Sequence, residues 1–268
     1  MATVITVAIE KGGVGKTATA VNLATLMALD NKKTLLVDMD AQANSTYMLT
    51  GEKKFSEEFR GKGLFQMVRA HGLKGTGDFS VPSQVEWLDV IPSTAQTPMV
   101  PEQMQILAES DGDIPSANTV LALCLAEVAD FYDYIIIDTP PSRDLLTTSA
   151  LVASDWVLVP CKCDDFCMDS LATTFELCAK LSREESTEIN VLGVVLTIVE
   201  KTALTQVIRD ELRQSDYRDS LLATEIRKGQ AVSDSTRYAS PVVISGKGSA
   251  PARDYAALYA ELKQKMGQ

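Results

Sequence analysis

The segment Lys11-Gly12-Gly13-Val14-Gly15-Lys16-Thr17 constrains this chain more than any other, because of what flanks it. Thr3 to Ile9 is a β-branched run expected to form a buried strand, and Ala18 to Ala24 reads as a helix. A strand, a glycine loop and a helix in that order make a phosphate-binding loop. Gly12, Gly13 and Gly15 let backbone N–H groups converge on phosphate oxygens, and the start of the helix adds its partial positive charge. Val14 and Ala18 complete the cradle. Lys16 is expected to neutralise the β and γ phosphates, and Thr17 to ligate Mg²⁺. Lys11, five residues ahead of Lys16, is an additional cation that the loop does not need for binding phosphate.

The next signal is Lys33-Thr34-Leu35-Leu36-Val37-Asp38-Met39-Asp40-Ala41-Gln42, an apolar strand that ends in two acids. In a parallel sheet ligands bind at the carboxyl edge, so Asp38 and Asp40 face the same nucleotide, and period two puts them on one side of the strand. One acid can hold a Mg²⁺-bound water while the other orients or deprotonates the water that attacks the γ-phosphate. A third strand, Tyr134 to Asp138, runs into Thr139-Pro140-Pro141-Ser142. Its pattern fits a Walker B strand whose Asp138 meets the metal through water, with the two prolines stiffening the turn. Further apolar strands are expected at 156–160, 191–197 and near Pro241-Val242-Val243-Ile244. Helical patterns between them imply an α/β fold with a doubly wound, mostly parallel sheet flanked by helices.

With 268 residues, 46% of them hydrophobic, the chain can form one domain with a large core. Surface insertions are expected near 51–63, which is charged and glycine-bounded, and near 95–118, which holds Pro98, Pro101, Pro115 and several acids. No apolar run approaches the ~18 residues needed to span a bilayer, and no basic signal region precedes the first strand, which predicts a cytoplasmic protein. Nor is an operator-binding extension expected ahead of that strand. Five cysteines without paired C-x-x-C spacing argue against a disulfide framework. Cys161, Cys163 and Cys167 could hold a soft metal but read better as small buried residues. His71 reads as part of a solvated, glycine-bounded loop.

On these motifs the chain resembles the ParA-type partition ATPases, the deviant Walker A group of P-loop NTPases that includes MinD and the nitrogenase iron protein. The matching stretches are KGGVGKT, LLVDMDAQANST, LDVIPST, YDYIIIDTPPS, LVASDWVLVPCKCDDF, VLGVVLTIV and GSAPARDYAALYAEL, nearly the whole chain. The resemblance implies ATP and Mg²⁺ as ligands and an ATP-bound homodimer in which Lys11 reaches the partner's phosphates. It implies that Asp40 positions the hydrolytic water, that Asp38 supports the Mg²⁺ shell, that Asp138 is the Walker B acid and that Asp164 contacts ribose across the dimer. Some positions depart from the family pattern. Ala18 stands for a second threonine, Ala41 and Ala43 for Pro and Gly, Cys163 for Pro, and Glu225-Ile226-Arg227 lacks a proline often found near the adenine.

A lysine offered from the opposite subunit stabilises transition-state charge as an arginine finger does, and it links ATP binding to dimerisation. A slow timer is therefore expected. The net charge of −11 argues against a protein coated in basic surface, yet residues 201–268 hold 11 Lys/Arg against 8 Asp/Glu. Arg209 and Arg213 lie one turn apart in an expected helix, and Arg227, Lys228, Arg237 and Lys247 follow in segments that read as loops. ParA relatives use such a patch for nonspecific DNA binding, together with a ParB-like adaptor that stimulates hydrolysis, so a nucleoid-associated protein is implied. The alternative within the group is a MinD-like membrane-associated positioning ATPase. Against it, the C-terminal helix carries Tyr255, Leu258, Tyr259, Leu262 and Met266 on one face, a stripe expected to face the core. An iron-sulfur reductase would need cysteines at a dimer seam, and a non-hydrolysing scaffold would leave Asp38, Asp40 and Asp138 unexplained.

Overall fold

The computed structural model describes residues 1–72 and 78–267. Its strands are β1 (Thr3–Val7), β2 (Thr34–Asp38), β3 (Val81–Pro82), β4 (Leu88–Ile91), β5 (Tyr134–Asp138), β6 (Trp156–Lys162), β7 (Asn190–Val199) and β8 (Leu221–Arg227). They form one sheet in the order β3-β4-β2-β5-β1-β6-β7-β8. Every neighbouring pair is parallel except β3 with β4. From β1 the chain winds outward to β4, returns to β5, and then continues through β6 to β8 on the other side. That is the doubly wound order the alternating motifs predict.

The helices are α1 (Lys16–Leu29), α2 (Asn44–Thr50), α3 (Leu64–Gly72), α4 (Val100–Ser110), α5 (Val120–Ala126), α6 (Leu145–Val152), α7 (Cys167–Glu184), α8 (Ala203–Gln214), α9 (Gln230–Arg237), α10 (Val242–Ser245) and α11 (Ala250–Lys265). Period-two alternation sorts the strand side chains between two layers. Along β5, Tyr134 and Ile136 pack with Leu23 and Met27 of α1 and Leu258 and Leu262 of α11. Ile135 and Ile137 pack on the opposite face with α3, α4 and α5. Both faces are covered, which explains why the central strands read as unbroken apolar runs.

Several expectations are corrected here. Residues 241–244 are not a strand: Val242 to Ser245 form the single-turn α10, led by Pro241 and held by the Val243 N–H, which donates to Asn22 Oδ1 at 3.0 Å. The last strand is β8, which includes Glu225-Ile226-Arg227. It lies at the sheet edge and buries only Leu222 and Ile226, so its hydrophobic signal is faint. Residues 95–118 are not a surface excursion throughout, since α4 lies within them and buries Val100, Met104 and Leu107. Pro101 sits in the first turn of α4, where a missing N–H costs nothing. His71 is not in a loop: it closes the last turn of α3 and its Nδ1 lies 2.5 Å from Glu127 Oε1. The C-terminal stripe is buried as expected, with Tyr255, Leu258, Tyr259 and Leu262 in the core against α1.

Candidate nucleotide site

Strand register assembles the site. Val7 at the end of β1 stands level with Asp138 at the end of β5, and Asp138 with Asp38 at the end of β2. The phosphate loop, the Walker B acid and the first acid of the second motif therefore leave the sheet side by side. Two bonds tie their exits together: the Thr139 hydroxyl donates to the Val7 carbonyl at 2.9 Å, and the Met39 N–H to the Asp138 carbonyl at 3.0 Å.

The loop has the backbone that the glycines promised. Gly13 and Gly15 sit at φ 70° and 84°, the left-handed region that a side chain resists. Val14 turns its side chain into the core, and its carbonyl accepts the Thr197 hydroxyl from β7 at 2.7 Å. Gly12, Gly13, Gly15, Lys16, Thr17 and Ala18 line a cleft of about 300 Å³ together with Asp40, Asn44, Met48, Pro141 and Thr236. A larger cavity of about 570 Å³ lies near the start of β2 and β4, bordered by Lys33, Leu35, Asp89 and Tyr132, away from the glycine loop. Its size does not make it the site, because no glycine loop lines it among the described residues.

Lys16 is buried and donates to the Lys11 carbonyl at 2.9 Å. Desolvation lowers its pKa, while the nearby Asp138 and Asp40 favour the charged form. Asp138 is fully buried. Its Oδ2 accepts the Ser45 hydroxyl at 2.6 Å, and its Oδ1 has no hydrogen-bond partner among the described residues, although the Thr17 hydroxyl is close enough to favour the carboxylate. Burial pushes its pKa up despite Ser45, Thr17 and Lys16. An unsatisfied buried carboxylate oxygen beside a threonine hydroxyl fits an oxygen-ligated cation such as Mg²⁺.

Asp38 is arranged differently. Its Oδ2 accepts both the N–H and the hydroxyl of Thr46, at 2.8 and 2.7 Å, and its Oδ1 accepts the Asp40 N–H at 3.1 Å. Burial and the neighbouring Asp138 push its pKa up as well. Asp38 thus braces the start of α2, and Asp40 is the acid of this motif that lines the cleft. The Asp40 carboxylate accepts the Gln42 N–H at 2.9 Å.

Four supporting residues had no role in the sequence reading. Ser45 and Thr46 hold the two acids, Asn44 lines the cleft and Thr197 holds the loop. Thr46 also accepts the Ser93 N–H at 2.9 Å, which links the LDVIPST stretch to Asp38. The polar run Asn44-Ser45-Thr46 directly after the paired acids was the available signal, since a helix start there turns its first side chains back to the sheet edge.

Lys11 lies at the rim, paired with Asp164 of the same chain and 5.3 Å from the centre of the Phe166 ring. The two charged residues expected to act across a dimer therefore meet within one subunit.

The expected basic patch is mostly paired internally. Arg209 binds Glu225 through two nitrogens and Arg227 binds Asp254 likewise, Lys228 lies 2.9 Å from Glu200, and Arg213 lies 3.5 Å from Asp210. Arg227 ends β8 and Arg237 ends α9, so neither sits in a loop. Arg237 stands over Tyr238 at 5.9 Å; it and Lys247 form no salt bridge among the described residues.

Comparison with known proteins places this geometry. The AAA domain family matches residues 2–191. Soj of Bacillus subtilis is 31% identical over 263 residues, covering 98% of both chains. The chain belongs to the Soj/ParA family of partition ATPases. The chromosome partitioning protein ParA of Myxococcus xanthus is 27% identical over 98% of this chain and 88% of its own length. An ATP complex of Cyanothece McdA shares the fold, with a TM-score of 0.80 at 20% identity over 99% and 96% of the two chains. Family and geometry agree on a P-loop ATPase with the phosphate loop at the carboxyl edge of the sheet. Among the described residues no helix is long and apolar enough to cross a membrane.

Proposed function

We propose that the protein is an ATP-dependent dimerisation switch that hydrolyses ATP slowly, binds DNA nonspecifically as the ATP dimer and thereby positions plasmid, chromosome or other cargo. The observation that supports it is the pair of lysines on one loop, Lys16 buried in the cleft and Lys11 partly exposed beside it. Lys16 can serve only its own nucleotide, whereas Lys11 can swing to another. Asp138 and Thr17 would hold Mg²⁺, which when bound neutralises charge on the β and γ phosphate oxygens. Asp40 lines the same cleft and is the acid left to orient or accept a proton from the attacking water.

On this reading the protein is cytoplasmic and nucleoid-associated, and a ParB-like adaptor accelerates hydrolysis. The MinD-like alternative has less support, because the apolar stripe of α11 is committed to the core. Sedimentation of Asp40→Ala with ATP and Mg²⁺ should show dimer where the ADP state shows monomer. Identical sedimentation in the two nucleotides would refute the switch.

A further inference from the structure

We infer that Asp164 and Phe166 are positioning residues for Lys11, holding its ammonium on its own subunit and setting how readily it is released toward a second nucleotide. This rests on the ATP-dimer reading above and adds its regulation. The Lys11 Nζ is ion-paired with Asp164 Oδ1 and lies 5.3 Å from the centre of the Phe166 ring, so one cation has two independent partners. Both charged side chains are 25% exposed, which leaves the pair partly shielded from water but able to open.

Asp164 cannot follow the lysine. Its N–H donates to the Lys162 carbonyl and its own carbonyl accepts the Cys167 N–H, both at 2.9 Å, while its Oδ1 accepts the Phe166 N–H at 3.2 Å. This turn rests on the buried Cys161, whose thiol lies 3.8 Å from the carbonyls of Lys162 and Cys167. Phe166 is 65% exposed at the N-terminus of α7, so its ring contributes little to the core and much to the surface around Lys11. Lys162 Nζ waits 3.9 Å from the other oxygen of Asp164. When Lys11 leaves, Lys162 is placed to neutralise the carboxylate, so opening strands no charge. An exposed ion pair and an exposed cation–π contact together bias such an equilibrium by roughly three- to thirtyfold.

A contact of Asp164 with the partner's ribose predicts the opposite response to mutation, and Asp164→Asn together with Phe166→Leu separates the two. In nucleotide-free protein, acylation of Lys11 by an amine-reactive acetate ester, measured by peptide mass spectrometry against the exposed Lys53, should be roughly 1.5- to fivefold faster in each variant. Rates equal to wild type overturn the inference. In sedimentation with Mg²⁺ and a non-hydrolysable ATP analogue, both variants should dimerise at severalfold lower concentration. A need for higher concentration in Asp164→Asn overturns it and assigns Asp164 to the partner's nucleotide. If wild type stays monomeric with the analogue, the ATP-dimer reading fails, and the acylation rates still decide whether Asp164 and Phe166 hold Lys11.

Discussion

Ala43 occupies the position before α2 at φ 58°, a conformation that costs an alanine about 1 kcal/mol and a glycine almost nothing. Glycine, the residue that the pattern of the resembled family has here, would adopt that conformation without strain. Ala43→Gly should raise stability by about 1 kcal/mol, read as a melting temperature higher by about 2–4 °C. Asp138 has the opposite character, a charge held where it is disfavoured. Its folded pKa lies above the unfolded value of about 4, so the nucleotide-free protein loses stability as pH rises from there through the folded pKa. Asp138→Asn removes that cost. At pH 8 the nucleotide-free variant should melt roughly 2–8 °C higher, for about 1–2 kcal/mol, and should lose the stabilisation that Mg²⁺ adds to ATP. Thermal scans with and without Mg²⁺ at pH 5 and 8 test both parts. Sequence spacing located Asp138, but the hydroxyl that occupies its other oxygen, Oδ2, comes from Ser45, which is 93 residues away.

At the scale of elements, the short α2 acts as the clamp of the site. Its first turn holds Asp38 and Asp138, and Thr46 also takes the Ser93 N–H that follows β4. Thr46→Val keeps the shape, removes the hydroxyl and leaves a buried N–H without an acceptor. A loss of about 2–3 kcal/mol is expected in denaturant unfolding, along with slower ATP turnover, because Asp40 is positioned from the same carboxylate. An unchanged midpoint would mean that Ser93 finds another acceptor. Periodicity identified the central strands because they are buried on both faces. It failed at β8 and α10 for different reasons: an edge strand that buries only Leu222 and Ile226 leaves a faint signal, whereas three consecutive apolar residues in a one-turn helix read as a short buried strand. The prolines of 95–118 suggested a loop, although one of them only opens α4.

For the whole molecule, charge counts per segment were a poor guide to surface. The excess of cations after residue 200 is real, but Arg209, Arg213, Arg227 and Lys228 are each matched by an acid. Arg227→Glu would strike the join between β8 and α11, whereas Arg237 and Lys247 are exposed and form no salt bridge among the described residues. The double variant Arg237→Glu/Lys247→Glu should weaken ATP-dependent DNA binding and flatten the slope of log K against log salt by about two or more per dimer. An unchanged slope would move the DNA face elsewhere. The phosphate loop, the acids around it, the doubly wound order and the family are all legible along the chain, because each depends on local spacing and strand periodicity. Which acid faces the cleft, which braces α2 and where Lys11 rests emerge only once the chain has folded. Those depend on pairings between residues up to 153 positions apart, and no local pattern encodes them.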